Sequence, residues 1–140
     1  IILAGRRMND SMGGYVASEV IKTMIQKDIK IKDAEILILG ITFKENCPDV
    51  RNTKAVDVIT ALKQFGVNIT LYDPWANEKE VLHEYNLVSI KELPKDKFDA
   101  IVLTVAHNEF KNIDLSMFKK EKSIIYDVKG ILDEKADSKL

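Results

Sequence analysis

The first thirty residues carry an apolar stripe at helical spacing. Methionine and valine recur every four residues, and two isoleucines widen the stripe. Its members are Met8, Met12, Val16, Val20, Ile21, Met24 and Ile25. This repeat predicts one long amphipathic helix over residues 6–28. Gly13 and Gly14 interrupt it, each costing about 1 kcal/mol of helix stability relative to alanine, so we expect a bend or a close helix contact there.

Beyond residue 33 the pattern alternates between short apolar runs and amphipathic segments. The apolar runs predict strands, the third of them weak and at an edge, over residues 35–41, 67–72, 87–90, 99–105 and 123–128. Helical spacing between them predicts helices over residues 53–65, 78–85 and 114–119. Continuously apolar strands alternating with helices are typical of a parallel sheet that is covered on both faces.

The predicted fold class is therefore α/β. We expect a Rossmann-like, doubly wound parallel sheet of about five strands, preceded by the long connecting helix. The last ten residues are polar, and we expect them to fray. The chain begins without an initiator methionine, and we expect it to be part of a longer protein.

The amino-acid composition argues against several classes of binding partner. The 140 residues are 46% hydrophobic and 31% charged, which is globular composition. Lysine and arginine number 21 against 22 acidic residues, so the net charge of −1 favours neither nucleic acid nor an anionic membrane as a partner. One cysteine, Cys47, and two histidines argue against a disulfide framework and a closed zinc site. We expect a cytoplasmic protein with no membrane, nucleic-acid or metal partner.

The expected strand order, 3-2-1-4-5, predicts where a ligand binds. In such sheets ligands bind beyond the carboxyl ends of the strands, where the order reverses, here between strands one and four. The loop after strand one, residues 42–52, is long and leads into a helix N-terminus, which favours an anion. Lys44 and Arg51 add positive charge to this loop, and arginine can bind a phosphate with two hydrogen bonds.

Two other functions of α/β domains are disfavoured. No G-x-G-x-x-G follows strand one, so we do not expect this domain to bind a dinucleotide. A phosphorelay receiver needs an acidic pair after strand one and an aspartate at the end of strand three. The chain has Lys44-Glu45 and Ile90-Lys91 at those places, although Lys129 after strand five would fit.

The loop after strand one resembles a known motif. Residues 39–52, LGITFKENCPDVRN, resemble the G-x-x-F-K-x-x-x-x-D-x-R segment of the nucleotide-sugar 6-dehydrogenases, the UDP-glucose/GDP-mannose dehydrogenase family. Further segments resemble the family in the same order, at residues 4–10, 72–74, 105–110 and 126–130. The amino-acid sequences of the long loop and of residues 106–110 most resemble those of the branch that acts on UDP-N-acetylhexosamines for bacterial surface polysaccharides.

The resemblance implies that three domains of the family have separate roles. In the family an N-terminal domain binds NAD, a central helical domain makes the dimer contact, and the C-terminal domain holds the UDP of the substrate. Two hydride transfers oxidise C6 of the sugar to a carboxylate, by way of a cysteine in a G-G-S-C-type motif. That motif is absent here, so Cys47 does not inherit the role of the nucleophile, and we expect no catalysis by this chain alone.

The resemblance also implies domain boundaries and partners. Residues 1–32 correspond to the end of the central domain and the connecting helix, and residues 33–140 to the UDP-sugar-binding domain. NAD would be bound by the missing N-terminal domain. We expect a homodimer that forms through the long helix and the missing central domain.

Six residues are predicted to bind the UDP-sugar: Phe43, Lys44, Asp49, Arg51, His107 and Lys129. The two loop cations are expected on the diphosphate, and the lysine after strand five reaches the same crevice. Asp49 caps the following helix, orders the cationic loop or, as a third alternative, contacts the substrate directly. Phe43 is either core or a wall for the uracil ring. His107 is either a satisfied loop histidine or a nucleotide contact.

Two other functions stay open. The chain could be a non-catalytic assembly module, in which residues 6–28 pair with another subunit through the methionine and isoleucine stripe. It could also be a stand-alone α/β domain that binds a small nucleotide, which requires this chain to be a complete gene product.

Overall fold

A parallel sheet lies between two layers of helices in the computed structural model of the protein, which describes residues 2–51, 53–132 and 136–139, with the backbone alone for 2–12. The strands are β1 (Glu35–Leu39), β2 (Asn68–Tyr72), β3 (Ser89–Ile90), β4 (Phe98–Leu103), β5 (Lys119–Asp127) and β6 (Ser138–Lys139). The helices are α1 (Ile2–Gln26), α2 (Ala55–Lys63), α3 (Glu78–Tyr85), α4 (Asn108–Lys111) and a 3₁₀ helix (Leu115–Phe118).

The strand order is β3-β2-β1-β4-β5-β6, with parallel pairing throughout. The predicted order of the first five strands and the edge position of β3 are confirmed. The short helix α4 was not predicted, because residues 106–110 were assigned to a loop. Strand β5 begins at Lys119, before the predicted residue 123, because Lys119 pairs with Phe98 ahead of an irregularity in the register.

The prediction of a frayed polar end was wrong for the described residues 136–139. Ser138 and Lys139 pair with β5 as a sixth strand. The Asp137 carboxylate accepts the Ile125 N–H at 2.7 Å and pairs with the Lys27 ammonium at 2.8 Å. The polar side chain thus supplies the hydrogen-bond acceptor that fixes this end to the sheet.

The described part of α1 packs on the sheet together with α2. Its buried residues are Val16, Ala17, Val20, Ile21 and Met24. They share one core with β1, β4 and β5, whereas α4 and the 3₁₀ helix cover the opposite face. Ile25, predicted in the stripe, is 57% exposed. The side chains of Met8 and Met12 lie outside the described residues, and the domain boundary at residue 32 stays a prediction.

Gly13 marks a close contact between helices, one of the two predicted outcomes. A Cβ at this position would lie 2.6 Å from the Cβ of Asp57 in α2. That distance is far below van der Waals contact, so the approach of α1 to α2 requires glycine. Gly14 has no neighbour of this kind.

Gly40 lets the chain after β1 pass close to Val105 after β4, at the point where the long loop begins. Its φ of +104° lies in the region that favours glycine, and a Cβ would lie 2.5 Å from the Cβ of Val105. The Thr104 hydroxyl donates to the carbonyls of Gly40 at 2.6 Å and Leu39 at 3.1 Å. These bonds fix the edge of the sheet from which the predicted site residues project.

Candidate functional site

The loop between β1 and α2 contains four of the six predicted site residues, and it consists of two parts. We call residues 42–46 the inner segment and residues 47–51 the outer segment. A backbone hydrogen bond joins them, from the N–H of Phe43 to the carbonyl of Asp49 at 2.7 Å. The two parts are fastened to the rest of the domain in different ways.

The inner segment is fastened by a buried histidine. The side chain of His107 has no exposed surface, and its Nδ1 accepts the backbone N–H of Asn46 at 2.9 Å. Its Nε2 lies 3.0 Å from Oδ2 of Asp73 and 3.1 Å from Oγ1 of Thr42. Because Nδ1 is an acceptor, the ring proton is on Nε2, from which it points to the carboxylate and the hydroxyl. The Thr42 hydroxyl in turn donates to the carbonyl of Lys44 at 2.9 Å.

Asp73, at the end of β2, is the centre of this network. Its side chain is fully buried, and it accepts four backbone N–H bonds of 2.7–3.3 Å in addition to the contact with His107. The donors belong to Ile41, Thr42, Trp75 and Ala76. Burial acts to raise the pKa of Asp73, but the hydrogen bonds from His107 and the backbone outweigh it, and the pKa is lowered. The network therefore holds a buried carboxylate in its charged form.

Aromatic rings close the network from outside. The indole of Trp75 stacks on His107 with ring centroids 6.0 Å apart, and Phe110 meets it edge-on at 5.2 Å. The Trp75 indole N–H donates to Oε1 of Glu109 at 3.0 Å. His107 is thus a satisfied buried histidine. This differs from the predicted nucleotide contact, because a ligand could reach the ring only if these contacts opened.

Phe43 and Lys44 project from the inner segment into solvent. Phe43 is 57% exposed, so the first of its two predicted alternatives, a core residue, is wrong. Lys44 is also exposed. Among the described side chains, those of residues 13–51, 53–132 and 136–139, none pairs with its ammonium. This cation is free to meet an anionic ligand.

The outer segment is held by the buried side chain of Val50, by a hydrogen bond from the Tyr85 hydroxyl to the Val50 carbonyl, and by an ion pair of its own. Arg51 donates from Nε to Oδ1 of Asp49 at 3.1 Å and from Nη2 to Oδ2 at 3.2 Å, and its backbone N–H adds a bond of 2.9 Å. These hydrogen bonds lower the pKa of the Asp49 carboxyl and raise that of the guanidinium. Both residues line a groove of about 660 Å³ that also includes Glu80 and Glu84 of α3. Arg51 is therefore not a free cation.

Asp49 orders the cationic loop, which is one of the roles predicted for it, and it does not cap α2. The N-cap residue of that helix, Lys54, makes no side-chain capping bond. Instead the Thr53 hydroxyl accepts the N–H of Ala55 at 3.2 Å. Cys47, on the wall of the same groove, is a half-buried free thiol.

A second cavity, of about 210 Å³, lies at the N-terminus of α2. Lys129 and Lys54 both line it, together with Gly13 of α1 and with Thr104 and Val128 at the ends of β4 and β5. None of the four predicted residues in the loop after β1 lines it, so the structure does not bring Lys129 into one cavity with them. Lys54 was not predicted as a site residue. Its position at the start of a predicted helix was the available signal.

Neither a metal site nor a membrane span is present in the described parts of the chain. No group of three or more His, Cys, Asp and Glu side chains there has the arrangement to hold a metal ion. No described helix is both long enough and apolar enough to cross a bilayer.

Sequence comparison finds relatives along the whole chain. Residues 37–134 match the profile of the UDP-binding domain of the UDP-glucose/GDP-mannose dehydrogenase family. The chain is 44% identical to the UDP-N-acetyl-D-glucosamine 6-dehydrogenase of Salmonella typhi and 42% identical to that of Pseudomonas aeruginosa, across 100% of this chain and 34% of each relative. It thus spans about a third of the length of the curated relatives it matches.

Solved structures share the fold. The native structure of the UDP-N-acetyl-mannosamine dehydrogenase Cap5O from Staphylococcus aureus matches with a TM-score of 0.72 and 23% identity, over 96% of this chain and 32% of that one. The NDP-N-acetyl-D-galactosaminuronic acid dehydrogenase of Methanosarcina mazei Go1 matches with a TM-score of 0.76 and 18% identity, over 89% of this chain and 26% of that one. These similarities confirm the α/β fold class.

Proposed function

Because the chain belongs to the UDP-glucose/GDP-mannose dehydrogenase family and carries its UDP-binding domain, we propose that it is the C-terminal part of an NAD-dependent UDP-N-acetylhexosamine 6-dehydrogenase. The match of residues 37–134 to the UDP-binding domain carries this proposal. The names of the relatives from Salmonella typhi and Pseudomonas aeruginosa support the sugar class. The intact protein would be a cytoplasmic homodimer that makes UDP-uronic acids for a surface polysaccharide.

The nicotinamide cofactor of this enzyme belongs outside the chain described here. The loop after β1 carries the exposed Phe43 and Lys44 and the Asp49–Arg51 pair in place of a glycine-rich turn. Such a loop does not let the pyrophosphate of a dinucleotide approach the backbone. We assign residues 1–32 to the end of the central domain, and residues 33–140 to the holding of the substrate's UDP.

The free charge of Lys44 makes it the leading contact for the diphosphate. A phosphate that meets Lys44 displaces no protein partner among the described residues. Arg51 must share its donors with Asp49, so we expect it to contribute less. Lys129 and Lys54 add positive charge at the α2 cavity, where the helix N-terminus also favours an anion.

In this proposal the binding of UDP positions the sugar for the reaction. A diphosphate held on the rigid end of the sheet fixes the sugar at a defined distance from it. Remote binding of this kind orients the reacting carbon toward the catalytic groups, which lie elsewhere in the protein. In this proposal Phe43 forms a wall for the uracil ring, Asp49 keeps the outer segment ordered, and His107 acts within the buried network.

The test is a kinetic comparison in the intact dehydrogenase. Replacing Lys44 and Arg51 together by alanine should raise KM for UDP-N-acetylglucosamine about tenfold or more, since each hydrogen bond between charged groups contributes roughly 1.5–3 kcal/mol. Lys97→Ala, at the opposite end of β4, is the matched control and should leave KM unchanged. An unchanged KM in a folded double variant would contradict the site.

The structure weakens the assembly-module hypothesis. That hypothesis needs the apolar stripe of α1 to be available to another subunit. Val16, Val20 and Met24 have no exposed surface, because they pack in the core of this chain. The stripe is therefore occupied over the described part of the helix.

A further inference from the structure

We infer that His107 is a positioning residue for the UDP site, which acts through its Nδ1 by holding the inner segment so that Lys44 faces the diphosphate. The inference rests on the proposed function and adds to it a residue that does not touch the ligand. It starts from the full burial of His107 and from the use of both its ring nitrogens.

The two nitrogens have separable roles. Nε2 joins the ring to Asp73, whose other bonds go to the backbone at the ends of β1 and β2. Nδ1 reaches outward to the N–H of Asn46. One side of the ring therefore belongs to the framework of the sheet, and the other side holds the loop.

Asn46 is the point at which the loop is held. Its φ of 55° lies in the left-handed region, which residues other than glycine adopt rarely and asparagine most readily. A second bond, from the N–H of Asn108 to the Asn46 Oδ1 at 3.0 Å, supports the same turn. On the other side of Lys44, the Thr42 hydroxyl binds the Lys44 carbonyl. The backbone on both sides of Lys44 is thus fixed while its ammonium stays free.

A loop fixed in this way meets its ligand without first having to be ordered. Ordering a mobile loop on binding lowers affinity, and a preorganised loop avoids that loss. His107 should therefore affect the binding of the UDP-sugar more than the chemical step. A histidine that merely filled the core would change stability without a selective change in KM.

Two replacements separate the nitrogens. His107→Asn places an amide oxygen where Nδ1 lies, and so keeps the acceptor for Asn46. His107→Gln places an amide nitrogen where Nε2 lies, and so keeps the donor to Asp73 but releases the loop. In the intact dehydrogenase we expect His107→Gln to raise KM for UDP-N-acetylglucosamine about tenfold with kcat within about twofold, and His107→Asn to raise it less than about threefold. Equal increases, or a larger one for the asparagine variant, overturn the inference.

A double-mutant cycle tests whether His107 acts through Lys44. In the Lys44→Ala protein, His107→Gln should change KM by less than about twofold, because the cation that it positions is gone. A further tenfold rise overturns the inference. If Lys44→Ala alone leaves KM unchanged, the proposed site fails and the inference fails with it. If Lys44→Ala raises KM while His107→Gln does not, the inference alone fails.

A substitution outside the core controls for the possibility that the His107 variants fail to fold. Asn46→Gly removes the side-chain bond to Asn108, but keeps the backbone N–H that bonds to His107 and places at this positive φ a residue that adopts it without strain. It should raise KM about threefold, and the unfolding midpoint in urea should stay close to that of the unmodified protein. An unchanged KM for this variant contradicts the claim that the tethered inner segment matters for binding.

Discussion

The inner and outer segments are neighbours in one loop, yet different forces hold them. The inner segment is bound by a buried histidine and a buried carboxylate that come from the ends of two other strands. The outer segment is anchored by the buried Val50, whose carbonyl accepts a hydrogen bond from the Tyr85 hydroxyl, and its charged side chains Asp49 and Arg51 form an exposed ion pair with each other. Hydrogen bonds to a buried charge are strong because water does not compete for them, whereas an exposed ion pair contributes little.

The difference decides which cation is available to a ligand. The inner segment takes its support from outside, so Lys44 keeps its charge free. In the outer segment the charge of Arg51 is engaged by Asp49. The cation that is available to an anionic ligand is therefore the one that forms no ion pair within the fold. The sequence positions of Lys44 and Arg51 alone do not show which of the two that is.

The largest expected effect comes from removing the buried carboxylate. Asp73→Ala leaves four backbone N–H groups and His107 without their acceptor. Breaking a buried charged network of this kind costs roughly 3–5 kcal/mol of unfolding free energy. Urea unfolding of the chain, followed by circular dichroism, measures it.

The matched control is the carboxylate of the outer segment. Asp49→Ala removes a carboxylate of the same chemistry from an exposed pair, and the urea midpoint should not move measurably. Similar losses for the two variants would show that the contrast between the segments is wrong.

Acid should weaken the inner segment. The pKa of Asp73 is lowered in the folded chain, so the unfolded chain takes up this proton at a higher pH than the folded chain does. The stabilisation is therefore complete above the unfolded pKa of about 3.9 and is lost as pH falls through the folded value. The pKa of Asp137 is lowered too, and it adds to the same slope.

The measurement is the urea midpoint of the chain between about pH 6 and pH 2.5. Asp73→Asn should show a shallower fall with acid than the unmodified chain, because it lacks the group that titrates. Asp49→Asn should differ less, since its carboxyl is in an exposed pair. A slope that is identical in all three chains would mean that Asp73 does not carry the acid sensitivity.

Much of the fold could be predicted from apolar runs. Residues 36–39 and 100–103 are wholly apolar and buried, and their runs predict the central strands. Helix α3 was predicted with its observed bounds, Glu78–Tyr85. The sixth strand was not predicted. It depends on Asp137, whose carboxylate bonds to Lys27 and Ile125 across the fold, and no local pattern reports such contacts.

The site was harder to predict than the sheet. Residues that fasten a loop and residues that bind a ligand are of the same polar types. His107 was singled out for a ligand because it follows a buried strand, but its partner Asp73 lies 34 residues away in the sequence. Their proximity follows only from the order β2-β1-β4, which brings the carboxyl ends of these strands together.

The most direct test of the account is a crystal structure of the intact dehydrogenase with UDP. We predict the diphosphate within about 4 Å of the Lys44 ammonium, with the bond between Asn46 and His107 intact. Diphosphate bound away from Lys44, or an inner segment that leaves His107 when the nucleotide binds, would contradict it.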